Sequence, residues 1–246
     1  MSDRFQRTEM LLGPEAMHRL GKARVAVFGV GGVGGYVVEA LARSGVGALD
    51  LIDKDVVDET NINRQLLALT STIGRPKVEV AAERVKDISP DCVVTAYQTF
   101  FLPDTKEQFD FSQYDYVVDA IDTVTGKLAL IEAAREAGTP IISSMGTGNK
   151  TEASLLEVAD LYETSVCPLA RIMRRECRRR GIEHLKVVYS REKPLRPLEK
   201  IQTPGEKGRR DIPGSTAFVP GAAGLILAGE VVKDLIAFDR SGREEE

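Results

Sequence analysis

The stretch VAVFGVGGVGG, residues 25–35, decides the fold class of this chain. Its first four residues form a short apolar run with β-branched side chains, which is typical of a buried parallel strand. Gly29, Gly31 and Gly34 follow in GxGxxG spacing, and the residues after them are helix formers with periodic apolar positions. This order predicts a strand, a tight turn and a helix, the opening unit of a doubly wound α/β fold.

The glycine turn also predicts a phosphate site. Glycine lets the backbone turn sharply and lets phosphate oxygens approach the N–H groups at the positive end of the following helix. Glycine-rich turns also serve close packing alone, so the neighbouring sequence matters. A second apolar run ends at Asp53, about 20 residues after Gly34, where a carboxylate accepts hydrogen bonds from ribose hydroxyls. The two features together favour nucleotide binding over a merely structural turn.

Polar residues after Asp53 continue this pattern. The segment DETNINRQ is too polar for a strand, and it offers the amide and guanidinium groups of Asn61, Arg64 and Gln65. The turn GRPK then places Lys77 in the first turn of a helix, where a cation opposes the helix dipole. We therefore expect another partner for this ammonium, and a phosphate is the natural candidate.

Strands and helices alternate along most of the remaining chain. Apolar runs predict strands over 92–98, 116–121, 140–145, 154–158 and 186–190, and a helix spans 124–137. The alternation predicts one Rossmann-like, doubly wound and mostly parallel sheet, with additional C-terminal strands and helices along its binding edge.

Asp122 directly follows one of these predicted strands. Carboxylates at the C-terminal ends of parallel strands point into the crevice where ligands bind, and Asp122 is placed to hold Mg²⁺ on a triphosphate. Asp119 lies within the strand, and we interpret it as a structural hydrogen-bonding carboxylate.

Composition bounds the class of protein. With 246 residues, 43% of them hydrophobic and 28% charged, the chain can bury one sizeable core, and we expect a single domain over residues 1–246. The net charge of -4 excludes a polycation, so contact with nucleic acid requires a local basic patch.

The charged N-terminus and the shortness of the longest apolar run, 218–229, predict a cytoplasmic protein. The three cysteines form no CxxC pair, which excludes the usual four-cysteine zinc site.

The last third of the chain offers a basic helix and a long loop. One helix face is strongly basic and carries Arg171, Arg174, Arg175 and Arg178. This face is either a solvated surface or a contact for nucleic-acid phosphates, and composition leaves both interpretations open. Residues 191–214 carry four prolines and three glycines and are predicted to form a mobile crossover loop.

A final helix and a tail complete the chain. The helix begins at Pro220, and the tail, residues 239–246, is charged and predicted to fray. The apolar and small residues of the helix form a stripe that we expect to be buried: Leu225, Ala228, Gly229, Val232, Leu235 and Ile236.

Taken together, GVGGVGG, Asp53, NINRQ, GRPK and DAID resemble the ubiquitin-activating-enzyme-like superfamily of carboxylate-adenylating enzymes. Within it, RFQRTEMLLG, SVCPLARIMRREC and GSTAFVPGAAGLILAGEVVKDL are similar to the branch whose members dehydrate N6-threonylcarbamoyladenosine in tRNA. The matches span most of the chain.

The resemblance implies a role for each matching residue. The implied ATP-binding residues are Gly29, Gly31, Gly34, Asp53, Asn61, Arg64, Gln65 and Lys77. The implied catalytic residues are Arg64, Lys77, Asp122, Arg4 and Arg7, with Asp122 also the Mg²⁺ ligand. In the superfamily, arginines of an N-terminal RxxR element reach the partner subunit's site, which implies a homodimer. The implied tRNA-binding residues are Arg171, Arg174, Arg175 and Arg178.

The implied reaction activates the threonyl carboxylate of the modified nucleoside by attack on the α-phosphate of ATP. An atom of the carbamoyl group then attacks the acyl carbon, expels AMP and closes a ring with net loss of water. This chemistry needs no cysteine nucleophile, so we favour a structural role for Cys167 over the thioester chemistry of some relatives. A monovalent cation and a sulfur-transfer or cysteine desulfurase partner are further hypotheses that the resemblance leaves open.

Two alternatives stand beside this interpretation. The first is an adenylyltransferase that activates the C-terminus of a ubiquitin-like sulfur-carrier protein, although such enzymes commonly carry paired CxxC zinc ligands. The second is a nicotinamide dehydrogenase, which leaves NINRQ and Lys77 unexplained.

Overall fold

A seven-stranded sheet forms the centre of the protein. The computed structural model describes residues 3–199, 202–205 and 208–239. The strands of the sheet are β1 (Arg24–Phe28), β2 (Ala48–Ile52), β3 (Val93–Tyr97), β4 (Tyr116–Asp119), β5 (Ile141–Ser144), β6 (Leu156–Asp160) and β7 (Lys186–Ser190). Their order is β3-β2-β1-β4-β5-β7-β6, and every neighbouring pair is parallel except β6 with β7. The predicted doubly wound, mostly parallel sheet is therefore confirmed.

Helices cover both faces of the sheet. They are α1 (Gln6–Leu12), α2 (Pro14–Lys22), α3 (Gly34–Arg43), α4 (Lys77–Ile88), α5 (Val124–Ala137), α6 (Pro168–Arg179) and α7 (Phe218–Leu235). Strand β1 shows why the apolar run is continuous: Val25 and Val27 pack with the core that includes α3, α4 and α7, while Ala26 and Phe28 face a second core. A strand buried on both faces keeps no polar alternation.

The second core is aromatic and supports the carboxyl end of β1. The Phe28 ring meets Phe101 edge-on at a centroid distance of 4.9 Å and Phe109 at 5.4 Å. Phe111 stacks on the same ring at 5.8 Å. These contacts fix the strand end from which the glycine turn departs.

The final helix packs closely on the helix that follows the glycine turn. A Cβ added to Gly224 of α7 would lie 2.4 Å from the Val33 carbonyl oxygen, so only glycine fits there. The predicted stripe on α7 is partly wrong. Ala228 and Val232 are buried, but Leu225 is 51% exposed and Gly229 is also exposed, because the packed face includes Gly224 and its neighbours instead. No helix among the described residues is long and apolar enough to cross a membrane.

Some element boundaries differ from the predictions. Strand β4 ends at Asp119, and β6 begins at Leu156 after a short 3-10 turn. Helix α1 has no buried residue, and with seven residues it is too short for an apolar period to show.

The crossover segment 191–214 is not entirely loop. It contains an antiparallel pair, β8 (Gln202–Gly205) with β9 (Gly208–Asp211). Its mobility stays a prediction, and the tail beyond Asp239 lies outside the described residues.

Candidate active site

A cavity of about 750 Å³ opens at the carboxyl ends of the parallel strands. It lies at the topological switch point, where β1 is flanked by β2 on one side and β4 on the other, the position at which doubly wound folds bind ligands. One part carries every charged side chain that lines the cavity: Asp53, Lys54, Asp55, Arg64, Lys77 and Asp122. We call this the charged half. The other part, the uncharged half, is lined by Ser144, Met145, Gly146, Thr147, Gly148, Leu169, Ile212, Pro213, Gly214, Ser215 and Pro220.

The three glycines of the motif have different surroundings. Gly29 has φ +88, and a Cβ there would lie 2.6 Å from the Ala120 carbonyl oxygen. Gly34 lies outside the cavity lining, and its Cβ would collide with the Gly29 carbonyl oxygen at 1.7 Å. Gly31 lines the cavity, and the nearest atom to a Cβ there would be Gln65 Nε2 at 3.7 Å. The structure thus brings Gly29 and Gly31 to the cavity, while Gly34 lets the helix start approach the turn.

Asp53 joins the glycine turn to the end of β2. Its Oδ2 accepts a hydrogen bond from the Val30 N–H at 2.7 Å, and its Oδ1 accepts one from the Asp55 N–H at 2.9 Å. An ionised carboxylate has about four acceptor positions, so Asp53 retains acceptor capacity toward the cavity.

The polar segment after β2 folds as a short 3-10 turn, Glu59–Asn61, capped by Asp58. Hydrogen bonds from Thr60 lower the pKa of the Asp58 carboxyl, and Lys77 adds to the effect. Asn61 is buried, and its Oδ1 accepts from the Asp58 N–H at 3.2 Å. The side chain of Arg64 donates to the Thr60 carbonyl at 2.9 Å. The cap therefore fixes the turn that presents Asn61 and Arg64 to the cavity.

Gln65 presents an unusual group to the charged half. Its side chain is buried, at 9% exposure, yet its Oε1 has no hydrogen-bond partner among the described residues. Burying an unpaired amide oxygen is costly. A ligand with a hydrogen-bond donor would remove that cost.

Lys77 is buried at the wall of the charged half, with 5% of its surface exposed. Its Nζ lies 3.1 Å from Asp55 Oδ2, so its ammonium has an ion-pair partner in the absence of any ligand. Its position at the start of α4 agrees with the prediction from sequence. Asp55, which the sequence did not single out, is the partner.

Asp122 lies three residues beyond the end of β4 and is exposed at the cavity wall. Among the described residues it has no hydrogen bond or ion pair. Mg²⁺ on a nucleotide is usually held by one or two carboxylates together with the phosphates, and Asp122 fits that description. No group of three or more metal-type side chains occurs in the described part of the chain.

Below the cavity lies a fully buried ion pair. Asp119 and Lys127 are 0% and 1% exposed, and Lys127 Nζ lies 3.0 Å from Asp119 Oδ2. Lys127 also donates to the Ser144 carbonyl at 2.7 Å, and Asp119 accepts from the Ile121 N–H at 3.1 Å. The structural role interpreted for Asp119 fits this geometry. The pair connects the strand ends beneath both halves.

Sequence reasoning missed the uncharged half. It is built from the loop after β5, the start of α6, the segment 212–215 and Pro220. Asn149 adopts φ 58, and its N–H donates to the Gly214 carbonyl at 2.7 Å while its Oδ1 accepts from the Gly214 N–H at 2.6 Å. The signal available in the sequence was GTGNK, residues 146–150, directly after a parallel strand.

The N-terminal arginines lie away from the cavity of their own chain. Arg4 donates to the Ile88 carbonyl at 2.8 Å, at the end of α4 opposite to Lys77. That helix has 12 residues and is therefore about 18 Å long. Arg7 is exposed on α1 and does not line the cavity.

The arginines of α6 divide into two groups. Arg174 is half-buried and donates to the Thr164 carbonyl at 2.8 Å and to the Thr164 hydroxyl, so it anchors the helix. Arg171, Arg175 and Arg178 are exposed, with Arg178 lying over the Tyr162 ring at 5.2 Å. The basic face therefore has three outward arginines rather than four.

The cysteines are buried. Burial raises the pKa of Cys92 and of Cys177 to about 11. Cys167 is 1% exposed and has no place in the cavity lining, which agrees with a structural role. Burial also lowers the pKa of the neighbouring Lys150, an effect that Cys167 and Glu192 oppose.

The fold and cavity define a class: a doubly wound α/β protein with a glycine turn, a buried lysine and a strand-end carboxylate around one switch-point cavity. Within this class, the chain belongs to the ThiF family, whose model matches residues 5–245.

Known proteins resemble the chain over nearly its full length. It is 43% identical over 243 residues to the tRNA threonylcarbamoyladenosine dehydratase of Bacillus subtilis (strain 168), and the match covers 96% of both chains. The crystal structure of E. coli tRNA N6-threonylcarbamoyladenosine dehydratase in complex with AMP has a TM-score of 0.87 at 34% identity, covering 99% of this chain and 98% of that one. The complex of that enzyme with ATP matches with a TM-score of 0.86 at 33% identity, covering 99% of each chain. The resemblance read from the motifs is confirmed.

Proposed function

We propose that the protein catalyses the ATP-dependent dehydration of N6-threonylcarbamoyladenosine in tRNA through an adenylated carboxylate. The observation that carries this proposal is the buried ammonium of Lys77 beside the glycine turn, in a chain whose relatives carry out this reaction and bind ATP. A buried cation at the wall of a cavity suits a polyanionic ligand.

The charged half supplies the groups that ATP requires. Gly31 carries no side chain at the cavity wall, so phosphate oxygens can approach its backbone, and Asp53 has acceptor capacity for ribose hydroxyls. Lys77 and Arg64 neutralise the triphosphate. Asp122 holds Mg²⁺, which supplies charge neutralisation at the phosphates when bound.

The reaction then needs alignment more than acid–base chemistry. The threonyl carboxylate attacks the α-phosphorus, pyrophosphate leaves, and a mixed anhydride forms. An atom of the carbamoyl group attacks the acyl carbon, AMP departs with the carboxylate oxygen, and the ring closes with net loss of water. The fixed cations Lys77 and Arg64 stabilise the charge that develops on the phosphates, and the cavity walls hold the reacting groups together.

One experiment separates this function from activation of a carrier protein. The protein is incubated with ATP, Mg²⁺ and tRNA carrying the modification, and the released pyrophosphate and the nucleoside mass are measured. We expect pyrophosphate release and loss of one water from the nucleoside. Activity only with a carrier protein that ends in Gly-Gly would refute the proposal.

We further propose a homodimer in which Arg4 and Arg7 act at the partner's cavity. Two observations support it: both arginines lie far from the cavity of their own chain, and α1 exposes Met10 at 82% and Leu11 at 74%. A mixture of the Arg7→Ala and Lys77→Met variants tests the arrangement. If the arginine acts across the dimer, hybrid dimers restore about a quarter of the wild-type activity by two-fold symmetry, whereas action within one chain restores none.

A tRNA contact at Arg171, Arg175 and Arg178 is also proposed, because these side chains extend outward from the helix that begins at the cavity. Cytoplasmic location, a monovalent cation and a desulfurase partner stay predictions.

A further inference from the structure

The two halves of the cavity differ sharply in charge. The charged half holds three acids and three bases, whereas the uncharged half holds none. Its walls are the apolar side chains of Met145, Leu169 and Ile212, the bare backbone at the loop glycines, and the hydroxyls of Thr147 and Ser215. Such a surface suits a neutral group with a few hydrogen-bonding edges.

This surface offers an RNA backbone no counter-charge of its own. None of the side chains that line the uncharged half is a lysine or an arginine, and a charge that loses its hydration without gaining a partner is costly to bury. Arg64 of the charged half lies at the border, since a Cβ on Gly32 would be 3.5 Å from both Arg64 Cγ and Pro220 Cβ. Arg171, two residues after Leu169 on α6, is exposed to solvent. An uncharged part of a nucleotide therefore suits this half better than the RNA backbone does.

The wall formed by residues 212–215 is held from both sides. Asn149 forms reciprocal hydrogen bonds with Gly214, at 2.7 and 2.6 Å, from a left-handed backbone conformation of φ 58. On the other side, Asn63, which precedes Arg64 in the chain, donates from Nδ2 to the Ser215 carbonyl at 3.0 Å. A Cβ on Gly148 would lie 2.9 Å from Pro213 Cβ, so the two segments touch. The uncharged half is thus largely preformed, which lowers the cost of ordering it around a ligand.

We infer that the uncharged half binds the purine base of the modified adenosine, rotated out of the RNA strand. This inference rests on the proposed function. Asp122 follows β4, which lies between β1 with its glycine turn and β5 with residues 144–148, so Asp122 lies between the two halves. The threonyl carboxylate must reach the α-phosphate from its own side of this boundary, and a short covalent link joins it to the base. Because the nucleotide occupies the charged half, the base lies on the other side of the boundary. Enzymes that act on a base inside a structured nucleic acid extrude it in this way.

Leu169→Trp tests the inference, because the larger ring fills the uncharged half from the start of α6. Ile172→Trp is the matched control: it adds the same ring to the same helix at a residue that is 40% exposed and outside the cavity lining. We expect Leu169→Trp to lower kcat/KM for modified tRNA at least about tenfold, with ATP affinity unchanged. Ile172→Trp keeps wild-type values of both.

The free N6-threonylcarbamoyladenosine nucleoside is the second probe. It should inhibit the reaction on tRNA competitively in the wild type and in Ile172→Trp, but not in Leu169→Trp. Wild-type kcat/KM in Leu169→Trp, loss of ATP binding in that variant, or failure of the nucleoside to compete would each overturn the inference. These three results count against the inference only if the wild type dehydrates tRNA in the same assay. A wild type without that activity would instead refute the proposed function.

Discussion

The two halves of the cavity are encoded in different ways. Most of the charged half comes from one continuous stretch, residues 28–77, completed by the turn after β4. The uncharged half is assembled from four segments spread between Ser144 and Pro220, joined by hydrogen bonds such as that between Asn149 and Gly214. Nucleotide chemistry therefore depends on local sequence, while the choice of acyl substrate depends on tertiary contacts.

The buried ion pair of Asp119 with Lys127 lies beneath both halves, and disrupting it should give the largest effect. Lys127→Met leaves Asp119 as an unpaired charge beneath both halves and should lower the free energy of unfolding by about 3–5 kcal/mol. Urea unfolding measures this change. The double variant Asp119→Asn/Lys127→Met removes both charges and should recover much of the loss; a loss below about 1 kcal/mol in the single variant would contradict the role given to the pair.

Lys77→Met should impair the function of the charged half and leave the uncharged half intact. Removing the cation that faces the phosphates should slow pyrophosphate release about 10²–10³-fold, with tRNA affinity retained. Lys86→Met is the control on the same helix, since Lys86 donates to the Cys92 carbonyl at 2.6 Å, far from the cavity. Equal rates in the two variants would show that Lys77 does not act on ATP.

Gly34 and Gly35 form a matched pair that tests how the glycine turn is built. Gly34→Ala forces a Cβ to within 1.7 Å of the Gly29 carbonyl oxygen, whereas the nearest atom to a Cβ on Gly35 is 3.9 Å away. We expect Gly34→Ala to destabilise the protein by at least about 1–3 kcal/mol in thermal unfolding. Gly35→Ala should be neutral or stabilising, because alanine favours the helix. A similar loss in both would contradict the packing role of Gly34.

The outward arginines near the uncharged half should have a smaller, salt-dependent effect. Replacing Arg171, Arg175 and Arg178 with alanine should weaken tRNA binding and reduce its salt slope by about 1 for each lost phosphate contact. ATP affinity, measured in parallel, should not change. An unchanged salt slope would show that this face is a solvated surface that does not contact tRNA phosphates.

Acid should slightly loosen the segment that follows residues 144–148 of the uncharged half, where Glu192 accepts hydrogen bonds from Thr151 and Glu152. Burial raises the pKa of Glu192, but hydrogen bonds from the Glu152 and Thr151 N–H groups, aided by Lys150, outweigh it and leave that pKa below its ordinary value of 4.5. The stability from this carboxylate is therefore present above about pH 4.5 and is lost as the pH falls through the lower, folded-state pKa. Glu192→Gln should flatten this part of the stability profile. Urea unfolding between about pH 3 and pH 6, a range that includes the ordinary pKa of a glutamate, measures the change. An identical profile in the variant would contradict the assignment.

The sequence predicted the sheet because β1 is a short apolar run and β2 is an apolar run interrupted only by Asp50. The bounds predicted for α5 and β7 match the structure. Fixed offsets also brought Asp53 and Lys77 to one cavity as expected. The pairing of Lys127 with Asp119 was not predicted, because helix periodicity does not show which side of a buried helix faces a strand end.

The uncharged half escaped prediction for a related reason. Leu169 lies in ordinary local sequence. Asn149 lies in GTGNK, but its role follows from its contact with Gly214, 65 residues further along the chain, and the local sequence does not show that contact. Arg174 is the opposite case, in which the local pattern suggested a role that the tertiary contacts do not support. It belongs to the same basic stripe as its neighbours, but its hydrogen bonds to Thr164 hold it away from the outward face.

An isotope label shows whether the charged half activates a carboxylate that is held from the uncharged half. The heavy oxygen isotope is placed in the threonyl carboxylate of the modified tRNA, and the AMP released after one turnover with unlabelled ATP is analysed by mass spectrometry. We expect this AMP to carry one heavy oxygen atom, because the carboxylate oxygen leaves with the phosphate. Dehydrated nucleoside formed together with unlabelled AMP would show that the carboxylate is not adenylated.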